Sequence, residues 1–283
     1  MHYLSGFDTD AVIDLLPRAT VLMGVPTFYT RLLKSDRLTP ESCAPMRLFV
    51  SGSAPLLASD AEDFRARTGH AILERYGMTE TGMNTTNPYE GPRKPGTVGR
   101  PLPGVEIRVA DRETGRELPD GEVGIIEVRG PNVFSGYWRM PERTAAEFRA
   151  DGFFVTGDLG RVDEDGHLCI VGRDKDLVIS GGYNIYPKEL EELIDAHPGV
   201  LESAVIGVPH PDLGEAVAAV VVPRPGEELQ AGELLESIAA DLARFKRPRA
   251  VRVVAALPRN VMGKVQKAEL RERYADLFTG TVA

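Results

Sequence analysis

The run YGMTET at residues 76–81 holds the densest group of side chains that could bind a nucleotide. Hydroxyl and backbone N–H groups can hold phosphate oxygens, and a carboxylate such as Glu80 is the oxygen ligand that Mg²⁺ prefers when it bridges phosphates. The run follows AILERY, which is typical of a strand, so we expect it in the loop after that strand. For these six residues alone, an ordinary turn with a capping threonine is an equal alternative.

Three other short runs could contribute to a site of this kind. The small residues of VSGSAP, at 50–55, would let a flat ligand such as a purine approach the backbone. In FFVTGDLG, Asp158 lies in a predicted turn after a strand, where a carboxylate can accept both hydroxyls of a ribose. Arg173 in GRDKD has forked donors that suit hydroxyls or phosphates. Taken one at a time, plain turns explain the first two runs better.

Lys264 lies between a loop rich in Pro, Asn and Gly and a helical pattern that begins at Lys267. By itself it is best explained as a solvated surface lysine. Trp138, in SGYWRMPE, is more typical of core or domain-joint packing than of a binding platform.

Composition and absent motifs exclude several classes of function. The net charge of −9 argues against a generic nucleic-acid surface, which would be basic. Cys43 and Cys169 are too few for a disulfide framework, and no histidine spacing indicates a metal site. The Walker, dinucleotide and GxSxG patterns are absent. No apolar run approaches the ~20 residues of a membrane span, and the first residues do not resemble a signal peptide, so we expect a cytoplasmic protein.

The elements that must position these runs fall into three regions. Helical and strand-like patterns alternate up to about residue 93, which indicates α/β architecture with a largely parallel sheet. Short alternating runs between Gly, Pro and Asp turns then predict an antiparallel β region. The last part predicts a compact α+β unit. We place the boundary within GRDKDLVISGG, which gives a large domain at 1–173 and a small C-terminal domain at 174–283.

Seven runs, taken in order, carry a resemblance that none of them carries alone. They are VPTFY, SGSAP, ERYGMTET, GYW, TGD, GRDKDLVISGGYNIYPKELE and PRNVMGKVQK. Together they resemble the core motifs of the acyl-adenylate-forming enzymes, which include acyl-CoA synthetases, peptide-synthetase adenylation domains and luciferases. The resemblance covers essentially the whole chain, and several runs look nearest to synthetases that make malonyl-CoA.

This resemblance implies an ATP- and Mg²⁺-dependent acid–thiol ligase. Malonate or methylmalonate would react with ATP to give an acyl-adenylate, and coenzyme A would then displace AMP. Thr79 would contact phosphate, Glu80 would ligate Mg²⁺, and Lys264 would stabilise the negative charge that builds up during adenylation. The implied nucleotide-binding residues are Ser53, Ala54, Pro55, Tyr76, Gly77, Met78, Thr79, Asp158 and Arg173.

A dicarboxylic acid needs a cation for its second carboxylate, and we assign Arg31 in TFYTRLL to that role, with Met83 closing the pocket beside it. A surface arginine on an amphipathic helix is an equal alternative for Arg31. The resemblance also implies that the C-terminal domain is a mobile lid. Lys175 would be its hinge, and Gly181 and Gly182 would face the coenzyme A channel.

The chain resembles only the second half of such enzymes, because nothing like their Ser/Thr/Gly-rich phosphate loop occurs in it. We therefore expect an N-terminal half as a missing partner, besides the small molecules acid, ATP and coenzyme A. Two alternatives stay open. One is a synthetase or adenylation domain for another short acid, and the other is a truncated, non-catalytic fragment that binds nucleotide or coenzyme A.

Overall fold

The structure, a computed structural model, describes residues 2, 4, 6–54, 56–260 and 263–278. The chain divides into two compact units, Met1–Ile170 and Val171–Ala283. Within the described ranges, no helix has the length and apolar character that crossing a membrane requires.

The first unit begins as alternating helices and strands and continues as strands. Its elements are α1 Thr9–Leu15, β1 Val21–Gly24, α2 Pro26–Leu33, α3 Pro40–Cys43, β2 Leu48–Ser51, α4 Ala58–Thr68, β3 Ile72–Met78, β4 Gly82–Thr86, β5 Arg100–Pro101, β6 Glu106–Ala110, β7 Gly124–Arg129, α5 Pro141–Ala146, β8 Phe154–Val162 and β9 Leu168–Arg173, the last of which crosses into the second unit. Local signals set several helix starts. Asp8 caps α1 by accepting a hydrogen bond from the Ala11 N–H at 2.7 Å, and Pro26 opens α2.

Strands β1 to β5 form one sheet in sequence order. The first three strands run parallel, so their carboxyl ends lie at the same edge. Helices cover this sheet through an aromatic core in which Phe64 contacts Tyr29 and Phe49 edge to face, at 5.4 and 4.9 Å between ring centres. The buried Tyr29 hydroxyl donates to the Val50 carbonyl at 2.7 Å, which ties α2 to the end of β2.

Strands β6 to β9 form a second sheet, in which β6, β7 and β8 are antiparallel. Its least typical feature is Glu127, whose side chain is fully buried between two arginines. Arg108 and Arg149 each lie 2.7 Å from its carboxylate oxygens. A buried carboxylate is tolerated in this position because both of its oxygens are paired.

The second unit is built on a sheet of order β11-β10-β13-β12, with β14 parallel to β13. Its elements are β10 Val178–Ser180, β11 Tyr183–Ile185, α6 Pro187–Asp195, β12 Val200–His210, β13 Gly214–Pro223, α7 Ala231–Ala239, β14 Ala250–Val253 and α8 Lys267–Arg273. Side chains of β12 and β13 alternate between two apolar clusters, so Val205 packs with α6 and α7 while Ile206 packs with α8. Both faces of this sheet are therefore buried.

These elements confirm the predicted fold class: an α/β region, an antiparallel β region and a small α+β C-terminal unit. Along the chain, the first compact unit ends at Ile170 and the second begins at Val171. The functional domain boundary at 173/174 stays a prediction. Trp138 does not pack in a core, because its side chain is 85% exposed, and its packing at a domain joint stays a prediction.

Candidate active site

The first half of the predicted loop at residues 76–81 is strand. Tyr76, Gly77 and Met78 are the last residues of β3, and the chain turns back at residues 79–81 into β4, so the alternative of an ordinary turn with a threonine that caps a helix is not formed. Met78 pairs directly with Gly82. A Cβ atom at Gly77 would lie 1.9 Å from the Gly82 carbonyl oxygen, so this tight hairpin requires glycine at that position.

Asp158 also lies within a strand and not in the predicted turn. In β8 the register shifts so that Thr156, Gly157 and Asp158 all lie opposite Ile126 of β7, and Gly157 has φ of 71°. This is a β-bulge, a device that redirects a side chain. It points the buried Asp158 carboxylate at the Tyr76 hydroxyl, which donates to Oδ2 at 2.6 Å.

Two separate predicted runs therefore meet at one hydrogen bond, Tyr76 to Asp158. A carboxylate has two oxygens and several lone pairs, so a group such as Asp158 can accept more than one hydroxyl. The phenol fixes the orientation of the carboxylate before any ligand binds.

Thr79 is exposed at the tip of the hairpin, and Glu80 beside it is half-buried. Oε1 of Glu80 accepts a hydrogen bond from the Tyr137 hydroxyl at 3.0 Å, whereas Oε2 accepts none from the described residues. Burial, together with the carboxylates of Glu147 and Glu80, raises the pKa of the Tyr137 phenol, so its proton stays in place near neutral pH. The donor set at Glu80, a carboxylate oxygen beside threonine hydroxyls, suits Mg²⁺.

The SGSAP turn follows β2, at the edge where the parallel strands end. Ser53 has φ of 70°, a conformation that non-glycine residues adopt at a cost of about 1–3 kcal/mol and that is common in ligand-binding loops. Ser53 and Ala54 are exposed. Pro55 lies outside the described residues.

Arg31 forms no hydrogen bond or ion pair with another predicted site residue in the part of the chain that the structure describes. It is exposed on α2, with its guanidinium 5.8 Å from the Phe7 ring centre, and it lines a shallow depression with Asp10 and Lys34. Its role in substrate binding stays a prediction.

Arg75 was not predicted, yet it lies beside two of the expected pocket features. Its guanidinium contacts the sulfur of Met83, and a Cβ atom at Gly52 would lie 3.7 Å from its Cζ. Its buried Nε has no hydrogen-bond partner among the residues that the structure describes. Its place in ERYGMTET was a signal available in the sequence, because the period of two in β3 puts Arg75 and Gly77 on the same face.

The remaining predicted residues lie in the second unit. Lys264 is exposed in a turn closed by two bonds with Asn260, whose side-chain oxygen accepts from the Lys264 N–H at 2.9 Å and whose N–H donates to the Lys264 carbonyl at 2.9 Å. The ammonium group makes no ion pair with the described residues. The described residues do not include Val261 and Met262, which precede Gly263 and Lys264 in the sequence.

Gly181 and Gly182 form the two-residue turn between β10 and β11, with φ of 57° and 83°. Two successive positive φ values define the hairpin turn that glycine pairs favour. Lys175 is exposed in a short 3-10 turn after β9, beside Asp176, which pairs with Arg271 of α8 at 2.6 Å. Arg173 is the exposed last residue of β9.

One cluster of acidic and histidine side chains in the described chain could hold a cation: Asp163, Asp165 and His167. The Lys94 ammonium lies 2.8 and 2.7 Å from the two carboxylates. Because this lysine already compensates their charge, we assign no metal there.

Comparison with known proteins decides the family. Residues 1–138 match AMP-binding enzyme, and residues 189–264 match AMP-binding enzyme C-terminal domain. The chain belongs to the AMP-binding enzyme family. This confirms the resemblance to acyl-adenylate-forming enzymes that the seven runs indicated.

Within the AMP-binding enzyme family, the chain is similar to ATP-bound MatB from Rhodopseudomonas palustris, with 63% identity and a TM-score of 0.95 over 98% of this chain and 55% of that chain. It is 41% identical to malonate–CoA ligase of Arabidopsis thaliana, over 89% of this chain and 44% of the relative. It is 40% identical to feruloyl-CoA synthase of Amycolatopsis sp., over 95% of this chain and 55% of the relative. The chain thus spans about half the length of the relatives it matches.

Proposed function

We propose that this chain carries the ribose, metal and lid elements of an ATP-dependent acyl-CoA synthetase that acts on malonate or methylmalonate. The acid and ATP would form an acyl-adenylate and pyrophosphate, and coenzyme A would then release AMP. The observation that carries the proposal is the buried Tyr76–Asp158 bond beside the hairpin of residues 79–81, in a chain 63% identical to an ATP-bound protein.

Each residue would act through binding and orientation. Asp158 would accept the ribose hydroxyls, and Thr79 would donate to phosphate. Glu80 would hold Mg²⁺, which when bound offsets the negative charge of the phosphates. Lys264 would bring a mobile positive charge to the acyl carboxylate and α-phosphate during the displacement. These roles, with those of Arg173, Lys175, Gly181 and Gly182, are proposals on the family pattern.

The acid is argued from charge. Relatives named for malonate and for ferulate are equally similar to this chain, so overall identity does not select the substrate. A second carboxylate requires a cation, because burying an unpaired charge is costly. Arg75 fits this requirement better than Arg31, since it lies against Gly52 and Met83 with an unpaired buried nitrogen.

Acid-dependent exchange of pyrophosphate into ATP tests the reaction. We expect exchange with malonate and much less with acetate. Because relatives are about twice as long, it should be measured with the chain alone and with a polypeptide covering the other half of a relative added. Nucleotide binding without exchange in both cases would favour the alternative of a non-catalytic fragment. Exchange that is stronger with another short acid would favour the other alternative.

Two arginine substitutions test the acid pocket. Arg75→Leu should reduce exchange with malonate about a hundredfold while sparing propionate, because a charge-assisted pair is worth about 2–3 kcal/mol. Arg31→Leu is the matched comparison, and under this assignment it should change both acids little. A selective loss in Arg31→Leu instead would restore the sequence prediction and refute the role of Arg75.

A cytoplasmic location stays a prediction, since a Mus musculus relative is named mitochondrial.

A further inference from the structure

The chain segment that begins at Asn132 lies directly against the hairpin of residues 79–81. The Asn132 side-chain nitrogen lies within hydrogen-bonding distance of the Thr81 carbonyl at 2.7 Å and the Met83 carbonyl at 3.2 Å. The Phe134 N–H donates to the Glu80 carbonyl at 2.8 Å. The backbone at Glu80 and just after it is therefore held by a segment outside the hairpin.

Tyr137 brings its hydroxyl between two carboxylates. The hydroxyl oxygen lies 3.0 Å from Oε1 of Glu80 and 2.8 Å from Oε2 of Glu147. A phenol has one proton, so it can donate to only one of them at a time. Arg143 compensates Glu147 through a hydrogen bond from Nε at 3.2 Å. No described lysine, arginine or histidine forms an ion pair with Glu80.

The ring of Tyr137 is held from several sides. Arg143 places its guanidinium 4.2 Å from the ring centre, and the Phe134 ring contacts it edge to face at 4.8 Å. The Tyr137 N–H donates to the Thr144 hydroxyl at 2.9 Å. Gly136 allows this approach, because a Cβ atom there would lie 2.6 Å from the Thr144 methyl group. The hydroxyl is thus presented to Glu80 by a rigid support.

We propose that Tyr137 is a positioning residue whose hydroxyl orients the Glu80 carboxylate through Oε1 and leaves Oε2 available as a ligand for the divalent cation of the ATP complex. Glu147, supported by Arg143, is the second acceptor for the same proton. Glu147 therefore competes with Glu80 for this hydrogen bond. This inference rests on the proposed function of Glu80, whereas the contacts of Tyr137 with Glu80 and Glu147 are independent of that function.

Tyr137→Phe removes the hydroxyl and keeps the ring. Binding of Mn²⁺ in the presence of ATP, measured from the loss of the free Mn²⁺ electron paramagnetic resonance signal, should weaken about tenfold, as is typical when the partner of a metal ligand is removed. The dissociation constant of metal-free ATP, measured by calorimetry, should stay unchanged. Tyr89→Phe is the matched control, because Tyr89 is 53% exposed and lies outside this contact, and it should bind Mn²⁺ like the parent chain.

Glu147→Gln separates positioning from packing. It removes the competing carboxylate, so Tyr137 can donate to Glu80 throughout, and Mn²⁺ should bind as tightly as in the parent chain or more tightly. If Glu147→Gln weakens Mn²⁺ binding as much as Tyr137→Phe does, the segment acts only as packing and the inference fails. It also fails if Tyr137→Phe weakens metal-free ATP and Mn²⁺–ATP equally.

A double-mutant cycle in urea unfolding tests the contact without any ligand. Tyr137→Phe and Glu80→Ala, combined, should cost less stability than the two separate losses added together, because each substitution removes the same hydrogen bond. Additive losses would overturn the inference. If the parent chain binds no nucleotide, either alone or with the other half of a relative added, the proposed function and the metal role of Tyr137 are both refuted. If it binds and Tyr137→Phe binds equally well, the inference alone is refuted.

Discussion

Asp195 gives the second unit a pH-dependent stability that can be worked out from its surroundings. It is the last residue of α6, and its Oδ1 is buried without a hydrogen bond of standard geometry among the described residues. Burial raises the pKa of Asp195 to about 7. Contact with Ser203 lowers that pKa in part, whereas the charges of Glu191 and Glu202 raise it further. The folded unit therefore favours the neutral carboxyl group.

Because the pKa of Asp195 is raised in the folded unit, the unit loses stability as the pH rises. A carboxyl group whose pKa is higher in the folded state stabilises the fold fully below its unfolded pKa of 3.8, and that contribution is lost as the pH rises to about 7. A rise of about three pKa units corresponds to at most about 4 kcal/mol. Asp195 is only half-buried, and solvent screening reduces the figure, so we expect about 2 kcal/mol at about pH 8.

Asp195→Asn removes the charge and keeps the size of the side chain. Its unfolding free energy should exceed that of the parent chain by about 2 kcal/mol at about pH 8 and by less than about 1 kcal/mol at about pH 5. Hydrogen exchange of peptides from β12, followed by mass spectrometry, measures this unit separately. Asp212→Asn, on an exposed turn, is the matched control. A difference that does not grow with pH, or that Asp212→Asn reproduces, would refute the assignment.

Three further predictions follow from single contacts. Glu127→Ala removes the buried partner of Arg149 and one of the two partners of Arg108, which keeps its ion pair with Asp151, and should lower the unfolding free energy of the first unit by about 1–3 kcal/mol in urea titrations; no measurable loss would show that water replaces the pair. Gly77→Ala should cost about 3 kcal/mol or more, because its Cβ would collide with Gly82, whereas Gly232→Ala, which meets no atom within 4 Å, should be neutral or stabilising. Lys264→Ala should abolish pyrophosphate exchange yet largely spare thioester formation from supplied malonyl-AMP, and equal loss of both would contradict its proposed role.

Helix starts were predictable because their causes are local. Asp8 caps α1, and Pro26 and Pro187 occupy the first helical positions of α2 and α6, where the missing N–H of proline costs nothing. The helical pattern after Lys267 also placed Leu270, Tyr274, Leu277 and Phe278 on one face; all four do pack in one apolar cluster, but only Leu270 lies within α8, which ends at Arg273. A capping group or a period of 3.6 can be recognised within ten residues of sequence.

The site was less predictable, because its geometry depends on pairing between distant strands. Tyr76 and Asp158 were expected in loops, yet both lie in strands whose partners, β4 and β7, are set by contacts distant in sequence. Glycine in YGM and TGD was a signal for turns, but in both places it permits a close approach or a bulge within a sheet. The period of two within β3 placed Arg75 on the same face as Gly77, but the pairing of β3 with β4 was needed to show that Arg75 meets Met83.

The irregular backbone at the site has a physical consequence for binding. Three irregular features each cost free energy: Ser53 at positive φ, the bulge at Asp158 and the tight turn after Gly77. No ligand is bound in the free protein, so folding alone must compensate this cost. That cost, about 1–3 kcal/mol for a residue such as Ser53, is offset in advance by the aromatic core around Phe64 and by the paired Glu127. Because the side chains are already oriented, the nucleotide binding that we propose would not have to order them again, which would preserve affinity. Destabilising the core should therefore weaken nucleotide binding even where no contact with the ligand is removed.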